Sequence, residues 1–224
     1  PALGAALAAL PRPIAYLDFE TIGPAVPVWD GCTPWQGVAV QFSVHVEDGA
    51  GKVTHREWLA EGPQDPRSAI AAVLVDACRG AKAVLTYTGF ERTQIKKLAA
   101  AVPGLAADLQ DLDGRLVDLA KIVREHVYHP EFGGSFSLKE VLPALVPELS
   151  YDDLEVNDGN VASALLNRML LRNDPATATE RATLRANLLA YCKMDTWAMV
   201  KLVETLRALG SKSASANPGA MPRG

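Results

Sequence analysis

Two short acidic motifs stand near opposite ends of this 224-residue chain. Near the start, Ile14-Ala15-Tyr16-Leu17-Asp18-Phe19-Glu20-Thr21 sets two carboxylates two residues apart in an apolar run that alternates like a strand. Near the end, Tyr191-Cys192-Lys193-Met194-Asp195 sets a phenol and a carboxylate four apart in a segment with helical character. Residues i and i+2 share one face of a strand, and residues i and i+4 share one face of a helix. Each motif therefore aims two oxygen-bearing side chains in one direction. Hard divalent cations such as magnesium take oxygen ligands of this kind, supplied by elements far apart in sequence. Burying such carboxylates is costly unless they are paired or bound to metal. A third carboxylate is expected between the two motifs. Glu91 is the first candidate, because Leu85-Thr86-Tyr87-Thr88-Gly89-Phe90-Glu91 passes from a strand through a small turn into a helix, and sites of α/β sheets gather at such strand ends. Asp118 in Arg115-Leu116-Val117-Asp118-Leu119 is the competitor, read more readily as a hydrogen-bonding group near the site.

The elements that must position these residues follow from periodicity. Strands are expected over Ile14 to Thr21, Val38 to Glu47 and Lys52 to Ala60, the last two joined by the turn Asp48-Gly49-Ala50-Gly51. The intervening stretch from Thr21 to Gly37, with Gly23, Gly31, Pro24, Pro27, Pro34, Trp29 and Trp35, reads as a long loop. Its tryptophans suit anchors on the core better than a stacking platform for a terminal base. A helix is expected from Pro66 to Arg79 with Asp65 as its cap, then a strand from Lys82 to Thr88 and a helix from Glu91 to Ala101. A short strand at Leu116 to Leu119 runs on helically to about His126. Ser135 or Ser137 caps a short helix ending at Leu145, and further helices cover Val161 to Leu171 and Ala178 to Leu209, the latter with a break near Arg185. Gln41, Ser43 and His45 alternate onto one face, expected to be polar and solvated, and His55 is expected to be exposed. His126 and His129 flank Tyr128 in a loop that suits either phosphate or base contacts or a structural role. The order predicts a mixed α/β sheet flanked by helices, in which three strands form an antiparallel meander and the rest run parallel. One domain is expected over 13–209, preceded by an extension at 1–12 and followed by a disordered tail at 210–224.

Composition sets outer bounds. About half the residues are apolar and 21% are charged, with a formal charge of -4. That balance argues against a generally basic nucleic-acid coat, although metals at an acidic site supply their own positive field. Cys32, Cys78 and Cys192 are odd in number and widely spaced, which indicates neither a disulfide framework nor a zinc site. A reducing, cytoplasmic compartment is the simplest expectation. Apolar runs such as Ala69 to Val75 are too short to span a bilayer, so no membrane association is expected. The opening Pro1 to Leu7 has neither an initiating Met nor a basic region and reads as a piece cut from a longer protein rather than a signal peptide.

The motifs resemble those of the DEDD, or DnaQ-like, 3′–5′ exonuclease superfamily. Asp18-Phe19-Glu20-Thr21 resembles its first motif and Tyr191-Cys192-Lys193-Met194-Asp195 its third, in the tyrosine-bearing form. Phe90-Glu91 resembles the second, with Glu in place of Asp and with Tyr87 and Thr88 where an Asn is usual. A closer similarity is to an uncharacterised bacterial family within that superfamily, through Pro34-Trp35-Gln36, Gln41-Phe42-Ser43-Val44-His45, Tyr128-His129-Pro130 and Gly134-Ser135-Phe136-Ser137-Leu138-Lys139. The resemblance implies a ribonuclease H-like fold and hydrolysis of phosphodiester bonds in single-stranded or frayed DNA or RNA. Asp18, Glu20, Glu91 and Asp195 would hold two magnesium or manganese ions, and Tyr191 would orient the attacking water. It also implies an accessory nuclease domain on the N-terminal side of the full-length protein. The alternative is a catalytically weak or inactive nucleic-acid-binding module of a larger nuclease, which the irregular second motif favours.

Overall fold

The computed structural model describes residues 2–172, 174–175 and 177–215. Five strands form one sheet: β1 (Ile14–Ile22), β2 (Val38–Glu47), β3 (Val53–Leu59), β4 (Ala83–Thr86) and β5 (Leu116–Asp118). Their order is β3-β2-β1-β4-β5. β1, β2 and β3 form an antiparallel meander, whereas β4 pairs parallel to β1 and β5 parallel to β4. This is the ribonuclease H-like mixed sheet that the strand order predicted. β1 lies at its centre, and the C-terminal ends of β1, β4 and β5 share one edge of the sheet.

Eight α-helices flank the sheet among the described residues: α1 (Ala2–Ala8), α2 (Arg67–Ala77), α3 (Phe90–Ala101), α4 (Ala106–Gly114), α5 (Leu119–His126), α6 (Leu138–Leu145), α7 (Gly159–Leu171) and α8 (Ala178–Ser215). The alternation of β1 assigns them to two layers. Ala15, Leu17 and Phe19 point into a core with Ile70 and Leu74 of α2, Ile95 and Leu98 of α3, and Leu109 and Leu112 of α4. Ile14 and Tyr16 point the other way, against Met199, Leu202, Val203 and Leu206 of α8. Asp18 and Glu20 continue that second row. The acids therefore emerge under α8, at the C-terminal half of the central strand.

Several expectations change. α8 is unbroken at Arg185, which instead lies along the helix surface and donates to the carbonyls of Leu59 and Ala60 at 2.8 and 2.9 Å. Those bonds fasten the helix to the end of β3, so an uninterrupted helix is the better solution. The expected tail begins as helix, since α8 runs to Ser215, whereas the rest of that expectation, 216–224, lies outside the described residues. The expected extension at 1–12 contains α1, which packs on α8. At their crossing, a Cβ added to Gly210 would come within 2.9 Å of the Gly4 backbone, so the two helices meet backbone to backbone. Near that crossing, Glu47 accepts from Tyr16 at 2.9 Å and from Arg207, and pairs with Arg12 at 2.9 Å. A buried acid thereby gains two cations and a phenol.

The polar face of β2 is also not solvated. Gln41, Ser43 and His45 are buried because α8 crosses over them. His55 on β3 is half-buried rather than exposed, stacked 4.5 Å from His45. Of the two loop tryptophans, Trp29 behaves as the expected anchor, buried with its indole N–H donating to the Pro63 carbonyl at 2.9 Å. Trp35 does not: it is 75% exposed.

The close α1–α8 crossing yields a test. Gly210→Val forces backbone atoms apart, and overpacking of this kind typically costs about 1–3 kcal/mol. The expected result is a lower urea midpoint with an unchanged denaturant slope. An unchanged midpoint would show that α1 contributes little to the stability of the domain.

Candidate metal centre

Three features of the backbone deliver the acids to one place. β1 outruns β4, whose pairing with it ends at Tyr16↔Leu85, so Asp18 and Glu20 project past the last paired rung. The β1–β2 register then shifts between Glu20 and Thr21, a bulge of the kind that re-aims side chains beside functional sites. Beyond β4, Thr88 turns with a φ of 95°, rare for a β-branched residue, and its carbonyl accepts from Thr86 Oγ1 at 2.9 Å. That turn starts α3 with Glu91 in its first turn and buried. From the other layer, α8 brings Asp195 one turn after Tyr191.

Asp18, Glu20 and Asp195 each offer a carboxylate oxygen, and these oxygens lie within 4.8 Å of one another. The donors are all hard oxygens, the set that suits magnesium or manganese rather than zinc. Glu20 is buried, whereas Asp18 and Asp195 keep an edge open to solvent. Glu91 falls outside this close triad, a departure from the expected four-carboxylate set, but it stays within electrostatic reach of Asp18 and Glu20. One oxygen of Glu91, Oε2, is buried without a hydrogen-bond partner. Such an orphan acceptor is costly unless a cation or water satisfies it.

The protonation state carries the same message. Burial, then the charges of Asp195, Glu91 and Glu20, pushes Asp18 well above the usual carboxylate range. Burial and the charges of Asp195 and Glu91 raise Glu20 to about 8. Glu91 is also raised to about 8, first by burial and then by Asp118 and Asp195. Burial raises Asp195 only to about 6, because a hydrogen bond from Tyr151 and the nearby Lys139 charge favour its ionised form. Burial and mutual repulsion thus oppose ionising these four acids together, and positive charge placed among them would favour the ionised forms.

Asp118 takes the structural role foreseen for it. It caps α5, its Oδ1 accepting from the Lys121 N–H at 3.1 Å. Tyr191 is buried with its phenol pushed far up by burial and by Asp195, Glu20 and Asp18, so it acts as a neutral hydroxyl. His129 caps a short turn through its Nδ1, which accepts from Glu131 N–H at 3.3 Å, and Tyr128 beside it is exposed.

Three groups at the centre escaped the sequence reading. Tyr151 donates to Asp195 Oδ1 at 2.6 Å from the segment between α6 and α7, where no periodicity marks it. The Cys192 thiol donates to Asp18 Oδ2 at 3.5 Å. Thr196 lies between Ser43 Oγ at 2.7 Å and His45 Nδ1 at 2.8 Å, while Gln41 Nε2 donates to the Leu188 carbonyl at 2.8 Å. Burial holds His45 neutral, down to about 3, with help from His55 and Lys193. This uncharged network pins α8 on β2 immediately beside Asp195. The signal was present in Gln41-Phe42-Ser43-Val44-His45, but its partner lay some 150 residues away.

Two outcomes follow. Unfolded Glu titrates near 4.5, whereas Glu20 and Glu91 here hold their protons to about 8. Between those values the native state binds more protons than the unfolded one, so stability without metal falls as pH rises through this window. A divalent cation held by these carboxylates would displace the protons, so its apparent affinity would rise over the same range. Melting scans should show a larger magnesium-induced shift at pH 8 than at pH 5.5, and a pH-independent shift would contradict the assignment. Separately, Tyr151→Phe frees Asp195 to reorient, and loss of such a bond behind a ligand typically weakens metal binding about 10–100-fold. Calorimetric titration with manganese measures it, and unchanged affinity would leave Tyr151 a packing residue only.

Among the described residues, no helix is long and apolar enough to cross a membrane. Cys32, Cys78 and Cys192 are all free thiols. The chain is similar to the Uncharacterized protein MG366 homolog of Mycoplasma pneumoniae, at 26% identity over 208 residues, covering 84% of this chain and 31% of that protein. It is also similar to Uncharacterized protein UU173 of Ureaplasma parvum serovar 3, at 21% identity over 216 residues, covering 87% of this chain and 31% of that protein. The chain thus spans about a third of the length of the curated relatives it matches. A family match runs over residues 15–137, more than half the chain, from the first acidic strand to the residue before α6, and by it the chain belongs to the family described as Domain of unknown function (DUF2779).

Proposed function

We propose that this chain is a metal-dependent 3′–5′ exonuclease acting on single-stranded or frayed nucleic acid. The observation that carries the reading is the triad of Asp18, Glu20 and Asp195, three oxygen donors within 4.8 Å on the central strand and the long helix. The motif order and the one-turn spacing of Tyr191 and Asp195 support it further. Asp18, Glu20 and Asp195 would hold the cations, with the unpartnered oxygen of Glu91 completing the donor set. Bound magnesium or manganese supplies the positive charge that stabilises the attacking and leaving oxygens of a phosphodiester.

The remaining work falls to side chains of this chain. Tyr191, neutral at any working pH, orients a water by its hydroxyl and does not serve as its base. Tyr151 fixes one oxygen of Asp195 and so its carboxylate plane. Lys139 bonds the Asn157 carbonyl at 2.8 Å and Asp158 at 3.4 Å, and its charge moderates the acids. In a longer protein an accessory nuclease domain would work beside this one, and most of each relative's length lies outside the match.

A second reading keeps the nucleic-acid interface but loses the chemistry, and the position of Glu91 outside the close triad favours it. The deciding assay uses 5′-labelled single-stranded DNA and RNA with magnesium or manganese. A ladder of shortening products from the wild type, reduced at least about a thousandfold by Asp18→Asn, is the expected result. Glu91→Gln should lose far more rate than Asp118→Asn. Binding without metal-dependent cleavage would select the second reading. Cutting of a circular single strand would instead make the enzyme an endonuclease, since an exonuclease needs an end.

A further inference from the structure

Between the β1–β2 loop and α7 lies an open groove of about 740 Å³ that the chemistry above leaves unused. One wall is the loop between β1 and β2, with Pro24, Val26, Val28 and Trp35, and the other is α7, with Asn167, and Arg172 just past its end. Two contacts tie its helical wall to the segments that carry the metal centre. Ser163 of α7, also in its wall, donates to the carbonyl of Thr21 at 2.7 Å, the residue after Glu20. At the start of the same helix, Gly159 faces the Tyr191 hydroxyl, 3.6 Å from where a Cβ would lie.

The loop treats its two tryptophans oppositely. Trp29 is sealed in the core, while Trp35 is held out in water with a φ of 61°, a region that bulky residues seldom adopt. That placement is fixed from both sides. The Trp35 N–H donates to the Pro24 carbonyl at 3.0 Å, and a Cβ on Gly23 would come within 2.9 Å of the Trp35 carbonyl oxygen. Val26 and Val28, which line the same groove, are 76% and 51% exposed, so the indole shares it with other exposed apolar groups. Across from it, Arg168 is tied to Asp174 at 2.6 Å, but Arg172 is exposed and has no acidic partner among the described residues. A flat aromatic surface and an uncommitted guanidinium in one groove match an unstacked base and its phosphate. An apolar protein surface would leave that cation and the Asn167 amide unanswered.

We propose that Trp35 and Arg172 form a subsite for an unpaired nucleotide of the strand whose end lies at the carboxylates, its base stacked on the indole and its phosphate on the guanidinium. The identity of the occupant rests on the nuclease reading; the stacking surface rests on Trp35 itself. The test measures anisotropy of a labelled thymidylate oligonucleotide and of an abasic oligonucleotide with the same phosphates, in the full chain carrying Asp195→Asn to prevent turnover. Adding Trp35→Ala should weaken thymidylate binding about tenfold, with the loss confined to the strand that has bases. Adding Arg172→Ala should weaken both and lower the salt slope by about 1. Unchanged thymidylate binding by the Trp35 variant, or an equal loss on both strands, overturns the subsite. Wild-type hydrolysis of bis-p-nitrophenyl phosphate with manganese separates the two ideas. Hydrolysis together with Trp35-independent binding sinks only the subsite, whereas neither hydrolysis nor oligonucleotide binding sinks the proposed function with it.

Discussion

Three carboxylates within 4.8 Å of one another repel, and burial makes that repulsion worse. Nothing among the acids themselves can hold such a group together, so it must be imposed by packing elsewhere. The imposing interface is α8 against the even-numbered face of β1. Ile14 and Tyr16 fit against Met199, Leu202, Val203 and Leu206, and the next two residues of that strand face are Asp18 and Glu20. The same row of contacts that builds the core therefore runs directly into the site. The packing thereby imposes a cluster of acids that resist ionising together.

A purely apolar helix interface would tolerate sliding, and the buried polar contacts oppose it. Thr196 bonds both Ser43 and His45, and Gln41 bonds the Leu188 carbonyl about two turns before Asp195. Each bond is satisfied at one register of α8 on β2, and a shift by one residue would leave buried donors and acceptors unpaired. Both histidines stay neutral, His45 near 3 and His55 near 4, so the clamp adds no charge to a neighbourhood already crowded with it. At the far end of the same helix, Glu47 with Arg12, Arg207 and Tyr16 fixes the other end of the contact.

Irregular backbone collects around the site rather than across the sheet. The bulge after Glu20, the left-handed turn at Thr88 and the left-handed Trp35 all lie on segments that leave the sheet near the acids. Such conformations persist only where the surroundings over-determine them, and they cluster at functional positions. Tyr151 adds a different kind of support, since it comes from a stretch without periodic structure and still reaches Asp195. The site thus combines a rigid strand and helix with connecting segments that close around them.

The sequence by itself determined the strand alternation, the meander, the helix–strand order and the facing of Asp18 with Glu20 and of Tyr191 with Asp195. Those properties depend on local period and turn chemistry, which neighbours along the chain specify. It also marked Asp118 as a hydrogen-bonding group, and the structure shows that group capping α5. Only the tertiary structure decided that β2's polar residues are buried, that α8 is continuous, that Trp29 and Trp35 have opposite fates, and that Tyr151 serves Asp195. Each of these depends on what covers a residue from a distant part of the chain. A period of two states which residues share a face; it does not state whether water or a helix lies over that face.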